Sequence, residues 1–279
     1  MVPSIPLGRW VADFVDFLRN NLDFVFDAIT VFLRELVSAL QWVFNLPPSL
    51  LLIALFIALA FWLRGVPFAV FTGLAFLLVD SVGMWEPTMD TLAVVIVATL
   101  VAVAIGVPVG ILAARNALVH AGVRPILDFM QTLPVFIYLL PAIMFFGIGT
   151  VPGAVATLVF AMPPAVRLTN LGIRQVDPEV VEAAHAFGAT PNQILFRIQF
   201  PLALPTIMAG VNQVIMLALS MVVIAGMAGA GGLGAEVVRS VSTVNIALGA
   251  ESGISVVILA IFLDRVSEAL STRGGPPSE

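Results

Sequence analysis

TLAVVIVATLVAVAIGVPVGILAA, Thr91–Ala114, runs without one charged side chain until Arg115 ends it. A membrane-crossing helix needs roughly 20 apolar residues, so this stretch is long enough to span a bilayer and has no natural place in a soluble domain. The same character persists outward in both directions. Of the whole chain, 60% is apolar and only 10% charged, against roughly 45–50% and about 25% in soluble domains. The sequence therefore predicts an all-α membrane protein, a multi-span helical bundle.

Further apolar runs predict spans over 49–63, 66–83, 127–148, 151–168, 203–226 and 252–270, flanking the 91–114 run. Several are short for a full crossing and require tilt and mutual packing. Pro108, Pro134, Pro141, Pro163 and Pro164 fall inside these runs and are expected to bend or interrupt helices. Arg64, Arg115, Arg124, Arg167, Arg174, Arg197, Arg265 and Arg273 all fall on one side of this arrangement. The excess of basic residues on cytoplasmic loops puts the C-terminus and the 169–201 segment inside the cell and the N-terminus outside.

The chain has no cysteine, which excludes disulfides, thiolate catalysis and zinc-thiolate sites. It also has no lysine, so it cannot contain a Gly-Lys-Ser/Thr phosphate loop. Any ATP hydrolysis belongs to another chain. MVPSIPLGRW lacks the basic-then-apolar layout of a cleavable leader and is expected to be mature sequence. The formal charge of −5 gives no footprint for nucleic acid.

Residues 1–47 differ from the rest. Asp13, Asp16, Asn20, Asp23, Asp27, Thr30 and Arg34 recur at intervals of three and four, with Trp10, Phe14, Phe17, Val25, Ile29 and Phe32 between them. One wet and one greasy face predict an amphipathic helix lying in the membrane interface, since four aspartates in hydrocarbon would be prohibitive. Residues 48–84 form two additional spans, 85–270 a core, and 271–279 a tail.

Within the core, VEAAHAFGATPNQILFRIQFP (Val181–Pro201) is polar and heavily punctuated. Asp177-Pro178-Glu179 is a strong helix start, combining an amide-capping carboxylate, a proline at the first position and a dipole-matched acid. Gly188 predicts the helix stop. Thr190-Pro191 begins a second short helix that leads into the next span. Small Ala183 and Ala184 beside charged Glu182 permit close seating in a groove on another protein, with His185 on the polar side of the same helix. An ordinary, well-capped loop explains the same residues.

The spacing Glu182-Ala183-Ala184, Gly188, Ile198 and Pro201 resembles the cytoplasmic signature of permease subunits of bacterial ABC importers, with Phe200 where leucine is usual. MQTLPVFIYLLPAIMFFGIGTVPG, PPAVRLTNLGIRQV and PLALPTIMAGVNQVIMLALSMVVIAGMAGAGGLG are similar to the glycine betaine/proline betaine permeases of that family, over about residues 90–270. The resemblance implies a type I importer permease fold (MetI-like), and a coupling segment within 170–201 that docks on a separate ATPase. Glu182, Ala183, Ala184, His185, Gly188 and Arg197 are the expected contacts. It also implies a permease homodimer, ATP and Mg on the ATPase subunits, and an extracytoplasmic binding protein that selects the solute. No cofactor or metal is expected in this chain.

Asn212, Gln213 and Ser220 lie in the sixth span. Gln213 and Ser220, seven apart, share a face and are candidates for lining the pathway, whereas Asn212 is rotated by about 100° from Gln213. Intramembrane amides also tie helices together, which is the plainer reading. Asp128 and Asp264 are expected to snorkel or pair locally, and His120 to sit in a loop. Gly229-Ala230-Gly231-Gly232-Leu233-Gly234 satisfies G-x-G-x-x-G, but no strand precedes it, so a turn on the outer face is expected rather than a dinucleotide site. The chain has only one tyrosine, Tyr138, and four tryptophans. That is thin material for an aromatic cage around a quaternary ammonium, which is expected on the separate binding protein.

Overall fold

A computed structural model describes residues 6–273, and most of the predicted 271–279 tail lies outside the described residues. Apart from short turns and caps these residues are helical, and no strand occurs among them. Helix α1 (Leu7–Asn45) follows the three-and-four spacing of its polar residues and is kinked at Leu22, where φ is −120° and ψ is 19°. Helix α2 (Ser49–Arg64) leaves it at an angle of 99°. Gly65 then turns the chain into α3 (Val66–Ser81). The α2–α3 hairpin packs on the last helix through Phe56, Phe76 and Phe262, whose ring centroids lie 5.1 to 5.3 Å apart.

The core begins with α4 (Trp85–Arg115), which contains the opening stretch, followed by α5 (Ala117–Thr132), a 3-10 turn (Val135–Tyr138) and α6 (Leu139–Phe146). Next come α7 (Thr150–Arg174), α8 (Pro178–Ala186), α9 (Pro191–Ile194), a π-helical turn (Leu195–Gln199) and α10 (Phe200–Ala225). Helices α11 (Gly232–Ser242) and α12 (Ile246–Arg273) complete it. Among the described residues four helical runs are long and apolar enough to cross a membrane: α4, α7, Pro191–Ala228 and Ile246–Leu270.

Helices α4, α7 and α10 form the centre. A Cβ added at Gly110 of α4 would lie 2.6 Å from Cβ of Thr169 and 2.7 Å from the Val166 carbonyl, both on α7. Gly106, one turn earlier, meets Ala165 in the same way at 2.6 Å. In lipid, where the hydrophobic effect does not press helices together, such small-residue approach supplies the packing. The other side of α7 meets α10, where Gly210 approaches the Pro164 carbonyl.

Several expectations need correction. The predicted span over 127–148 is not one helix: α5 and the segment from Val135 to Phe146 are bent by 111°. The cause is Pro134, which pushes the preceding residue into extended geometry, and Leu133 has ψ 135°. Pro108, Pro163 and Pro164 do not interrupt their helices. Pro163 and Pro164 are buried, with α4 and α10 packed close on either side of α7, the setting in which membrane helices tolerate proline. Residues 170–174, placed in the coupling segment, are the last turn of α7. His120 is in α5 and not in a loop; its Nδ1 lies 3.0 Å from the Asn170 amide nitrogen.

The contacts sort the molecule into two ends. One end holds the Arg64–Glu268 bridge at 2.6 Å, the Arg167–Asp128 pair, and Arg174 donating to the Ala113 carbonyl at 3.3 Å. The other has Asn45 donating to Asp90 at 3.0 Å, the Leu233 amide donating to Thr91 Oγ1 at 2.8 Å, and Gly149 donating to the Ala228 carbonyl at 2.9 Å. Helix α8 lies at the arginine-rich end, four residues past Arg174.

Candidate coupling site

Helix α8 starts as its sequence dictates. Asp177 accepts a hydrogen bond from the Glu179 amide at 2.9 Å, with Pro178 at the first position. It stops at Gly188, whose φ of +81° is left-handed and whose amide donates to the His185 carbonyl at 2.9 Å. Thr190 and Gln193 then form a reciprocal capping box, with the Thr190 amide donating to Gln193 Oε1 at 2.8 Å and the Gln193 amide donating to Thr190 Oγ1 at 3.4 Å. The result is two short helices at a fixed angle across a tight turn.

No residue of α8 is buried. Glu182, Ala183, His185, Gly188 and Arg197 are exposed, and Ala184 is half-buried. The structure brings Glu182 to Gly188 together on one protruding element; Arg197 is set apart on the π-helical turn that leads into α10. Phe187 was not among the expected contacts, yet it is 91% exposed at the tip. An aromatic ring wholly in solvent beside a rigid turn is the kind of anchor that fills a pocket on a partner. The signal was available in the sequence as a phenylalanine directly before a helix-stopping glycine in an otherwise polar module.

The base of the module is buried. Ile194 and Leu195 are 3% and 1% exposed. Leu195 packs with Ile173 of α7 and Ala203 and Ile207 of α10, beneath Val107, Ile111 and Ala114 of α4. The base of the module is thus close-packed against all three central helices.

Gln213 and Ser220 are both exposed on one strip of α10, and Ser220 donates to its own helix at the Met216 carbonyl, 3.0 Å away. Asn212 faces elsewhere: its amide donates to Asp264 at 3.3 Å and its carbonyl accepts from Ser267 at 2.5 Å, tying α10 to α12. Asp128 pairs with Arg167. The glycine-rich 229–234 stretch is a turn into α11, with φ of 79° at Gly229 and 75° at Gly231.

Close-packed helices long and apolar enough to cross a membrane, with an exposed, capped knuckle at the arginine-rich end, suit the class of membrane transport subunits. This chain belongs to the family described as "Binding-protein-dependent transport system inner membrane component", whose model matches residues 106–273. It is 47% identical to the glycine betaine transport system permease protein OpuAB of Bacillus subtilis (strain 168), over 98% of this chain and 96% of that one. It is 48% identical to the glycine betaine/carnitine transport permease protein GbuB of Listeria monocytogenes, over 98% of each. Among solved structures, a chain of the MetNI methionine ABC transporter in inward-facing conformations is similar over 67% of this chain and 93% of that one, with a TM-score of 0.62 and 25% identity.

Proposed function

We propose that this protein is the membrane-spanning subunit of an ATP-driven importer for glycine betaine or a closely related quaternary ammonium solute. Two copies form the path, a pair of ATPase subunits grips the α8 knuckles, and an external binding protein delivers the solute. The arginine-rich end faces the cytoplasm and the N-terminus lies outside, with α1 in the outer interface. ATP binding draws the ATPase pair together, and each α8 carries its buried base, Leu195, against α4, α7 and α10. The path then switches between inward and outward exposure, with Gln213 and Ser220 along it. This chain carries no chemistry of ATP hydrolysis; it is a transport subunit.

The observation that carries this reading is the knuckle, exposed at Phe187 and rooted by Leu195 at 1% exposure in the central packing. The substrate class rests on the glycine betaine permeases to which the chain is similar over nearly its full length. The test is co-purification with the candidate ATPase, reconstitution into liposomes with the binding protein, and measurement of betaine-stimulated ATP hydrolysis and uptake. Betaine uptake driven by an ion gradient in the absence of the ATPase would establish the rival mechanism, an ion-driven secondary transporter. Stimulation by choline or carnitine but not betaine would reassign the substrate.

A further inference from the structure

A cleft of about 550 Å³ opens between α5 and α7 at the arginine-rich end, and three guanidinium groups line it: Arg124, Arg167 and Arg174. The one carboxylate in its wall, Asp128, is taken by Arg167. Arg174 gives one N–H to the Ala113 carbonyl, which leaves its charge unneutralised. Among the described residues neither Arg124 nor Arg174 has a salt-bridge partner. Two exposed cations without a carboxylate partner thus face one open cleft, whose wall also holds the paired His120 and Asn170 and apolar residues including Leu127 and Leu171.

Unpaired cations gathered at one cleft raise the local concentration of anions, and the guanidinium fork matches phosphate oxygens in geometry as well as charge. Free phosphate has no use for apolar walls. A lipid uses both, with phosphate at the arginines and acyl carbons along the leucines, and basic pockets between membrane helices at the cytoplasmic surface are suited to such headgroups. The transported solute is a poor fit, because its quaternary ammonium would lie beside two guanidinium groups. The geometry points to this α5–α7 cleft as a binding site for the phosphate ester of an anionic phospholipid, held by Arg124 and Arg174.

The absence of cysteine allows a single reporter thiol. Phe129→Cys, at an exposed α5 position next to Asp128 and outside the cleft lining, carries a bimane label on the full chain in phosphatidylcholine nanodiscs. Brominated phosphatidylglycerol is expected to quench it more than the same fraction of brominated phosphatidylcholine. The Arg124→Gln/Arg174→Gln double variant should weaken that preference roughly tenfold, while Arg115→Gln, an exposed arginine at the same end, leaves it intact. Asp128→Asn, which frees Arg167, should strengthen it. Equal quenching by the two lipids, a preference that survives the double variant, or no gain in Asp128→Asn would overturn the proposal. Relief of quenching by millimolar inorganic phosphate would assign the site to a free anion and overturn the lipid reading. No ATPase is present in this experiment, so its outcome is independent of the ATP-coupling reading above.

Discussion

Gly188 sits at a φ of +81° with no atom of the chain within 4 Å of where a Cβ would stand. Its requirement is therefore conformational within this subunit, and a left-handed backbone costs a non-glycine residue roughly 1–2 kcal/mol. Gly188→Val should insert normally yet lose ATP-driven uptake, because a β-branched residue refuses that conformation and the knuckle changes angle. Asparagine tolerates the left-handed region, so Gly188→Asn is expected to retain a substantial part of the uptake. If Asn fails as completely as Val, the partner's surface and not the backbone sets the need for glycine. At Phe187, truncation to alanine should weaken association with the ATPase by about 2 kcal/mol or more, read as a roughly thirtyfold or greater rise in Kd by titration in detergent. Folding should be unaffected, since the ring is 91% exposed.

At the scale of elements, the caps of α8 and α9 were fully legible, because Asp177, Gly188, Thr190 and Pro191 act within a few residues of themselves. The bend at Leu133–Pro134 was half legible: the proline was plain, but apolar runs on both sides of it read as one span. The roles of Gly106 and Gly110 were present as a G-x-x-x-G spacing, yet their partner, the Ala165–Thr169 face of α7, is far away in sequence. Helical spacing already set Asn212 apart from Gln213, but distance hid the partners of Asn212, Asp264 and Ser267 of α12. The glycine crossing makes a firm prediction. Gly110→Leu would drive its side chain into the Val166 carbonyl and Thr169, destabilising the bundle by about 1–3 kcal/mol or more. A lowered midpoint in thermal unfolding of the detergent-solubilised chain would register it, while Gly122→Leu, with nothing within 4 Å, should be neutral.

Across the whole molecule, the arginine count separated two ends, and the Arg64–Glu268 and Arg167–Asp128 bridges lie together at the end predicted to be cytoplasmic. A thiol at exposed Thr190 should resist an impermeant maleimide in intact cells and react after permeabilisation; labelling in intact cells would reverse the orientation. The same bridges differ in what they join. At that end Arg64 fastens the α2–α3 hairpin to α12, and Asn212 with Asp264 and Ser267 fastens α12 to α10. Helix α5 buries only Leu127 and is held on α7 by the Arg167–Asp128 pair and the His120–Asn170 contact. Helix α12 is therefore the common strut of this end, with the hairpin held on one flank and α10 on the other.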